Sequence, residues 1–275
     1  MLKLRIITAI CLLLFFLSAL FFLPAILWGM LLLGMTIIAS REWCTLGQFN
    51  TKQTLVYLII TTILGGELLF ILSTVVDVNP IATGIVWPYV VSLLFWVFIV
   101  PILLTLSKPI KNTVMMMFIG WLVLLPILLA MYQLRAIDPV TLLAFMSVVW
   151  ISDTAAYFAG KKFGKHKLAP QISPGKTWEG VLGALLAVLC YSMAIGYYLK
   201  ETTSFVVMLT ATVIGLAILG IIGDLFESQL KRQAGVKDSG TILPGHGGVL
   251  DRIDALTSTL PTAVLIYLLY SHVTL

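Results

Sequence analysis

The sequence predicts an all-α polytopic integral membrane protein, one domain over residues 1–275, and three observations carry that prediction. Mean hydropathy is +1.07 and 60% of the residues are hydrophobic, more apolar matter than one core hides from water. Apolar runs near the 20 or so residues that cross a bilayer recur nine times along the chain. Lysine and arginine alternate with these runs and collect almost entirely on one side of them.

The first two spans, 6–23 and 24–40, form one unbroken apolar run with Pro24 near its middle. A proline there favours two helices over one. Lys3 and Arg5 ahead of an apolar stretch also fit a secretory signal peptide, but the run continues far past the apolar core of such a peptide, so retained spans are expected. Spans follow at 54–74, 84–106 and 113–134, completing five over 6–134. The C-terminal portion, 140–275, holds four more at 140–160, 177–199, 204–225 and 257–274, with connections 161–176 and 226–256.

Lys3, Arg5, Arg41, Lys52, Lys108, Lys111, Lys161, Lys162, Lys165, Lys167, Lys176, Lys231, Arg232, Lys237 and Arg252 lie on one side, against Arg135 and Lys200 on the other. Basic loops stay in the cytoplasm, which puts the N-terminus inside and the C-terminus on the opposite side. The net charge of +5 is spread over several loops instead of one face, so nucleic acid is not the expected partner; anionic lipid headgroups are. Cys11, Cys44 and Cys190 show neither metal nor redox spacing, and the chain has no internal repeat or low-complexity tract.

A carboxylate at mid-span costs about 2.5–3.5 kcal/mol and needs a partner. Three stand out: Glu67, Asp153 and Asp224. For Glu67 and Asp153 an interhelical hydrogen bond and a role in catalysis both stay open. Asp224 is different, because a helix continued through it aligns Asp224, Glu227, Ser228 and Lys231 at i, i+3, i+4 and i+7. Beyond this face come Lys237-Asp238, a break at Pro244-Gly245, His246, Gly247-Gly248, and then Asp251 and Asp254 three apart at the start of the last helix.

These parts suit a polyphosphate held by a hard cation. Asp224 and Asp251 offer the oxygens Mg²⁺ prefers, with water and phosphate completing its shell. Glycines beside a helix N-terminus let backbone N–H groups approach an anion, and Lys231, Arg232, Lys237 and Arg252 can neutralise charge that develops in phosphoryl transfer. Taken singly, each residue also fits a solvated membrane anchor with plain salt bridges. An anchor has no use for a Pro-Gly-His-Gly-Gly turn between two acidic helix ends.

Ser228, Leu230, Lys231, Arg232, Lys237, Asp238, Ser239, Gly240, Leu243, Pro244, Gly245, His246, Gly247, Gly248, Asp251, Arg252 and Asp254 together resemble the signature of the phosphatidate cytidylyltransferases, also called CDP-diacylglycerol synthases. A second block, from Ser152 to Gly180, is similar to the family's loop between the sixth and seventh helices. The resemblance implies that phosphatidic acid and CTP give CDP-diacylglycerol and pyrophosphate with Mg²⁺, in the bilayer and without nucleic acid. It assigns the metal to Asp224 and Asp251. Lys231, Arg232, Lys237, His246 and Arg252 become phosphate contacts, Asp238 and Asp254 further metal partners or supports, and Ser228, Gly247 and Gly248 substrate contacts. For His246, a proton donor to pyrophosphate and a turn-stabilising hydrogen bond both fit. His272 is expected to be incidental.

The lipid phosphate is itself the nucleophile, which agrees with the lack of a nucleophile elbow or an H-E-x-x-H motif. Ser173-Pro-Gly-Lys-Thr is not a Walker A loop, because Pro170 stands where that motif needs glycine. Ser173 and Lys176 are instead expected at the mouth of the same cavity. A polytopic transporter is the rival class, but its sites sit at mid-membrane, whereas polar density here is at the cytoplasmic edge. A lipid-binding scaffold would explain the basic loops and have no need of Asp224 and Asp251. A cytidylyltransferase for a related lipid, a monovalent cation beside Mg²⁺ and a homodimer stay open. The compact sequence points to a bacterial cytoplasmic (inner) membrane, with the site facing the cytoplasm; an organellar membrane stays open.

Overall fold

The computed structural model describes residues 2–106, 109–243 and 245–274, with side chains between residues 7 and 271. Lys108, Pro244 and the side chains of Lys3, Arg5 and His272 therefore lie outside the described residues. Among the described residues nine helices make up the fold: α1 (Leu2–Phe22), α2 (Ala25–Leu46), α3 (Thr51–Val78), α4 (Trp87–Leu106), α5 (Thr113–Ile137), α6 (Pro139–Phe163), α7 (Trp178–Leu199), α8 (Thr203–Ala234) and α9 (Leu250–Thr274). Among the described residues eight are long and apolar enough to cross a membrane, and the apolar part of α1, Ile7–Phe22, is shorter. The protein is an all-α polytopic membrane protein, as its sequence predicts.

The predicted division at Pro24 is present: α1 stops at Phe22 and Pro24 caps α2. Polar side chains start the later helices where the apolar runs begin. Asn50 and Gln53 form a reciprocal capping box on α3, and Asn112, Asp138, Thr177 and Thr202 each accept a backbone N–H at the start of α5 to α8. The two connections of the C-terminal portion differ from expectation. The expected loop 226–256 shrinks to 235–249, because α8 carries its charged face on to Ala234 and α9 begins at Leu250. The expected loop 161–176 contains a small antiparallel hairpin, β1 (Lys167–Ala169) and β2 (Ser173–Thr177).

Lipid is as apolar as leucine, so helices in it associate through close packing more than through hydrophobic burial. Small residues supply that packing here. Gly183 of α7 meets Ala155 and Ala159 of α6, and Gly180 meets Ala156 and Gly160, leaving no space for a side chain between the two helices. On α8, a Cβ at Gly223 would stand 2.8 Å from the Asp254 carbonyl and from Ser258 Oγ of α9. The same close approach brings the polar ends of α6 to α9 together. Behind them Phe95 and Trp96, in a π-helical turn of α4, pack edge-on against Phe226, holding the apolar side of α8.

The end opposite the site is tied by buried polar side chains. Arg135 of α5 donates to the Leu20 and Leu23 carbonyls at the end of α1 and lies over the Trp28 ring. Gln133 accepts from Tyr89 and donates to the Pro80 and Ala82 carbonyls. Between α2, α3 and α5, Trp43 Nε1 donates to the Met116 carbonyl at 2.9 Å and Gly120 leaves room for Trp43 and Tyr57. Gly120→Ala is expected to cost about 1–3 kcal/mol by overpacking, read as a lower unfolding midpoint in detergent. Gly34→Ala, where nothing lies within 4 Å, is the control and should leave the midpoint near wild type. Equal midpoints for both variants would contradict this packing.

Candidate active site where α6, α8 and α9 meet

The helical face predicted on α8 is real, and its residues are engaged. Lys231 Nζ lies 2.6 Å from Glu227 Oε2, one turn back, and 2.8 Å from Asp251 Oδ1 on α9. The side chains of Glu227 and Asp251 are each only 5% exposed, so two buried carboxylates share this one ammonium. Gly235, with φ near +72°, ends α8 and lets Val236 N–H bond back to the Lys231 carbonyl. The chain then returns across the helix end to start α9. Asp251 Oδ2 accepts from the backbone N–H of Ser239 and of Gly248, at 2.9 and 2.8 Å, closing that return.

A cleft of about 720 Å³ opens in front of this cluster. Asp153, Asp224, Asp251 and Asp254 line it with Lys176 and Lys231. Lys176 Nζ, on β2, pairs with Asp224 Oδ2 at 2.6 Å, and Ser228 Oγ donates to Asp224 Oδ1. The two sequence blocks thus meet in one place. Asp238 and Arg252 line both this cleft and a second pocket of about 560 Å³, which is bordered by Lys237, Gly245, His246 and Gly247. Exposed Tyr157, Phe158, Phe163 and Trp178 surround the α6–α7 side, with Lys161 over Tyr157 and Lys162 over Phe163. Aromatic and basic side chains so mixed mark the level of lipid headgroups.

Most predicted site residues converge on the cleft or its adjoining pocket, Ser173 and Asp153 included. Four do not. Arg232 turns to the hairpin, donating to the Ile172 carbonyl, and Ser228 supports Asp224 instead of lining the cleft. Gly248 is buried and its N–H is engaged by Asp251, so the helix N-terminus expected to cradle an anion is already occupied by the protein's own carboxylate. Glu67 is exposed on α3 and lines neither cavity.

One residue was invisible from the sequence. A span ending at residue 40 puts Glu42 in a solvated connection, but α2 runs on to Leu46 and buries Glu42 to 4% exposure. Its carboxylate accepts from Ser239 Oγ and from the N–H groups of Val249 and Leu250, at 3.1, 3.0 and 2.7 Å. A charged residue among Trp43, Cys44 and the apolar run before it was the available signal.

The donors in the cleft are hard oxygens, the chemistry that suits Mg²⁺. Among the described residues no three Asp, Glu, His or Cys side chains group closely enough to hold an ion by themselves. The model of the cytidylyltransferase family matches residues 3–270. The chain is 35% identical to the phosphatidate cytidylyltransferase of Haemophilus influenzae over 95% of its length and 96% of that protein, and 35% identical to that of Pseudomonas aeruginosa, with 95% of each covered. Over 120 residues, 44% of the chain, identity to the phosphatidate cytidylyltransferase of Staphylococcus aureus reaches 50%.

The two lysines differ in burial, and their removal should differ in cost. Lys231→Met leaves Glu227 and Asp251 buried without a counter-ion and is expected to cost about 3–5 kcal/mol. Lys176 and Asp224 are 24% and 30% exposed, so Lys176→Met should cost less than about 1 kcal/mol. Unfolding of both variants in detergent measures the difference, and equal losses would contradict it.

Proposed function

The chain belongs to the cytidylyltransferase family and is a nucleotidyltransferase, and from that premise we propose that it joins CTP to phosphatidic acid, giving CDP-diacylglycerol and pyrophosphate. The observation that carries this reading is the meeting of Lys176, Asp224, Lys231, Asp251 and Arg252 around one cleft at the membrane edge. An anionic lipid head and a soluble nucleotide need such a border site. The transporter alternative is not favoured: the carboxylates of the cleft gather at one end of the helices, and the relatives are enzymes.

The lipid phosphate oxygen attacks the α-phosphorus of CTP. A new P–O bond forms as the bond to the bridging oxygen of the β-phosphate breaks, and pyrophosphate leaves with that electron pair. No protein nucleophile is required. The residues of the chain orient the two anions and offset charge on the leaving group. Lys176, on the accessible carboxylate of Asp224, is placed to exchange that partner for substrate phosphate, while Lys231 holds Glu227 and Asp251 at the back of the cleft. Arg252, between cleft and pocket, reaches the polyphosphate from the other side, with Lys237 and His246 at the pocket border.

Asp224 is the more accessible of the two assigned metal carboxylates, and Asp251 supplies the second. Mg²⁺ held there would polarise phosphate oxygens and neutralise their charge. Asp153 and Asp254 extend the same oxygen-rich wall. The membrane is proposed to be the bacterial cytoplasmic membrane, with the cleft facing the cytoplasm where CTP is found.

Membranes holding the chain, given phosphatidic acid, labelled CTP and Mg²⁺, should form CDP-diacylglycerol and pyrophosphate in equal amounts. Asp224→Asn should lower the rate by about a hundredfold or more. Lys176→Ala should raise the KM for substrate while leaving the protein inserted. No lipid product from folded wild-type protein, or full activity in Asp224→Asn, would overturn the proposal.

A further inference from the structure

We infer that Glu42, on α2, is a positioning residue for the nucleotide side of the site, holding the 238–252 turn in the shape that aims Asp238 and Asp251 into the cleft. The inference rests on the cytidylyl-transfer reading for its catalytic consequence. Its structural basis is independent of that reading. Glu42 lies about two hundred residues from its partners in sequence, and its carboxylate accepts from Ser239 Oγ, Val249 N–H and Leu250 N–H. Among the described residues no lysine, arginine or histidine pairs with it. A buried carboxylate without a cation must be stabilised by hydrogen bonds and dipoles. Both are supplied by the first turn of α9, whose N-terminus carries partial positive charge.

Two neighbouring carboxylates divide the work at that helix start. Asp251 takes the N–H groups of Ser239 and Gly248, while Glu42 takes those of Val249 and Leu250 and the Ser239 hydroxyl. Asp238 and Asp251 flank these contacts in sequence and line the cleft. If Glu42 lets go, the turn that carries both of them loses its anchor to α2.

The glycines of the turn fit the same role. A Cβ at Gly240 would stand 2.5 Å from Glu42 Oε1, and one at Gly248 would stand 2.5 Å from both carboxylate oxygens. At Gly240 the three atoms nearest to such a Cβ are all from Glu42. Ser239, Gly240 and Gly248 are thus shaped to receive a carboxylate from another helix, not to wrap a phosphate.

The arrangement also makes glutamine a poor substitute. Oε1 faces Val249 N–H and Oε2 faces Leu250 N–H, so whichever way the amide is turned, its NH₂ meets a backbone donor. Losing a hydrogen bond to a charged group and burying a mismatched donor corresponds to roughly a tenfold effect or more.

The test uses the full-length protein in detergent or vesicles. In Glu42→Gln, deuterium uptake over residues 238–252 should rise while the remote end around Gln133 and Arg135 keeps wild-type protection. The KM for CTP should rise about tenfold or more with the KM for phosphatidic acid unchanged. Gly240→Ala should impair wild-type protein yet add little in a Glu42→Ala background, because the atoms it collides with are gone. Wild-type exchange and CTP use in Glu42→Gln, or an equal effect of Gly240→Ala in both backgrounds, would overturn the inference. The exchange and double-variant stability arms need no substrate, so they judge Glu42 separately; absence of lipid product from wild-type protein would count against the reaction alone.

Discussion

Lys231 is the residue on which the site depends. A chain this apolar has little means of holding charge, yet Lys231 reaches one carboxylate on its own helix and another on the next within 2.8 Å. Neither carboxylate is stable in that setting alone, and the ammonium is not stable without them. The contact therefore fixes the approach of α8 to α9 and forces the intervening turn to fold back over the helix end. Gly235 permits the departure, and the carboxylate of Asp251 receives the return.

Charge balance then gives the cleft its chemistry. Asp153, Asp224, Asp238, Asp251 and Asp254 line it with Lys161, Lys167, Lys176, Lys231 and Arg252, and Glu227 adds a further buried carboxylate behind. Acids and bases lie side by side there, so a carboxylate can take a cation while Lys176, resting on Asp224, can take an incoming phosphate in its place. The wall needs no covalent participant. Its position among Tyr157, Phe158, Phe163 and Trp178 sets it at headgroup level, where a lipid phosphate and a nucleotide can share it.

What was legible in the sequence follows from what lipid and periodicity demand. Apolar length fixes the spans, Pro24 divides the first run, and a 3.6-residue repeat aligns Asp224 with Lys231 before any coordinates exist. The pairing of Lys176 with Asp224 was expected only as a shared cavity; the 2.6 Å contact is a tertiary fact. Hydropathy windows stop at the first polar residues, so they missed how far α2 continues and left Glu42 in solvent. The glycines suggested a phosphate cradle because a bare backbone suits any close anion. Here the anions that come close are Asp251, three residues beyond Gly248, and Glu42, which no local pattern reveals from so far away in sequence.

Nucleotide and metal are proposed to occupy the cleft between β2 and the start of α9. Gly175 lines that cleft with nothing within 4 Å of its Cβ position, so a cysteine there has room and access. In a chain with Cys11 and Cys190 replaced, the rate at which a membrane-impermeant maleimide modifies Gly175→Cys reads occupancy directly. With the label supplied to both faces, CTP with Mg²⁺ should slow that labelling and leave a cysteine at Thr202, at the other end of the helices, unaffected. Labelling at position 175 that CTP and Mg²⁺ do not change would contradict the assignment.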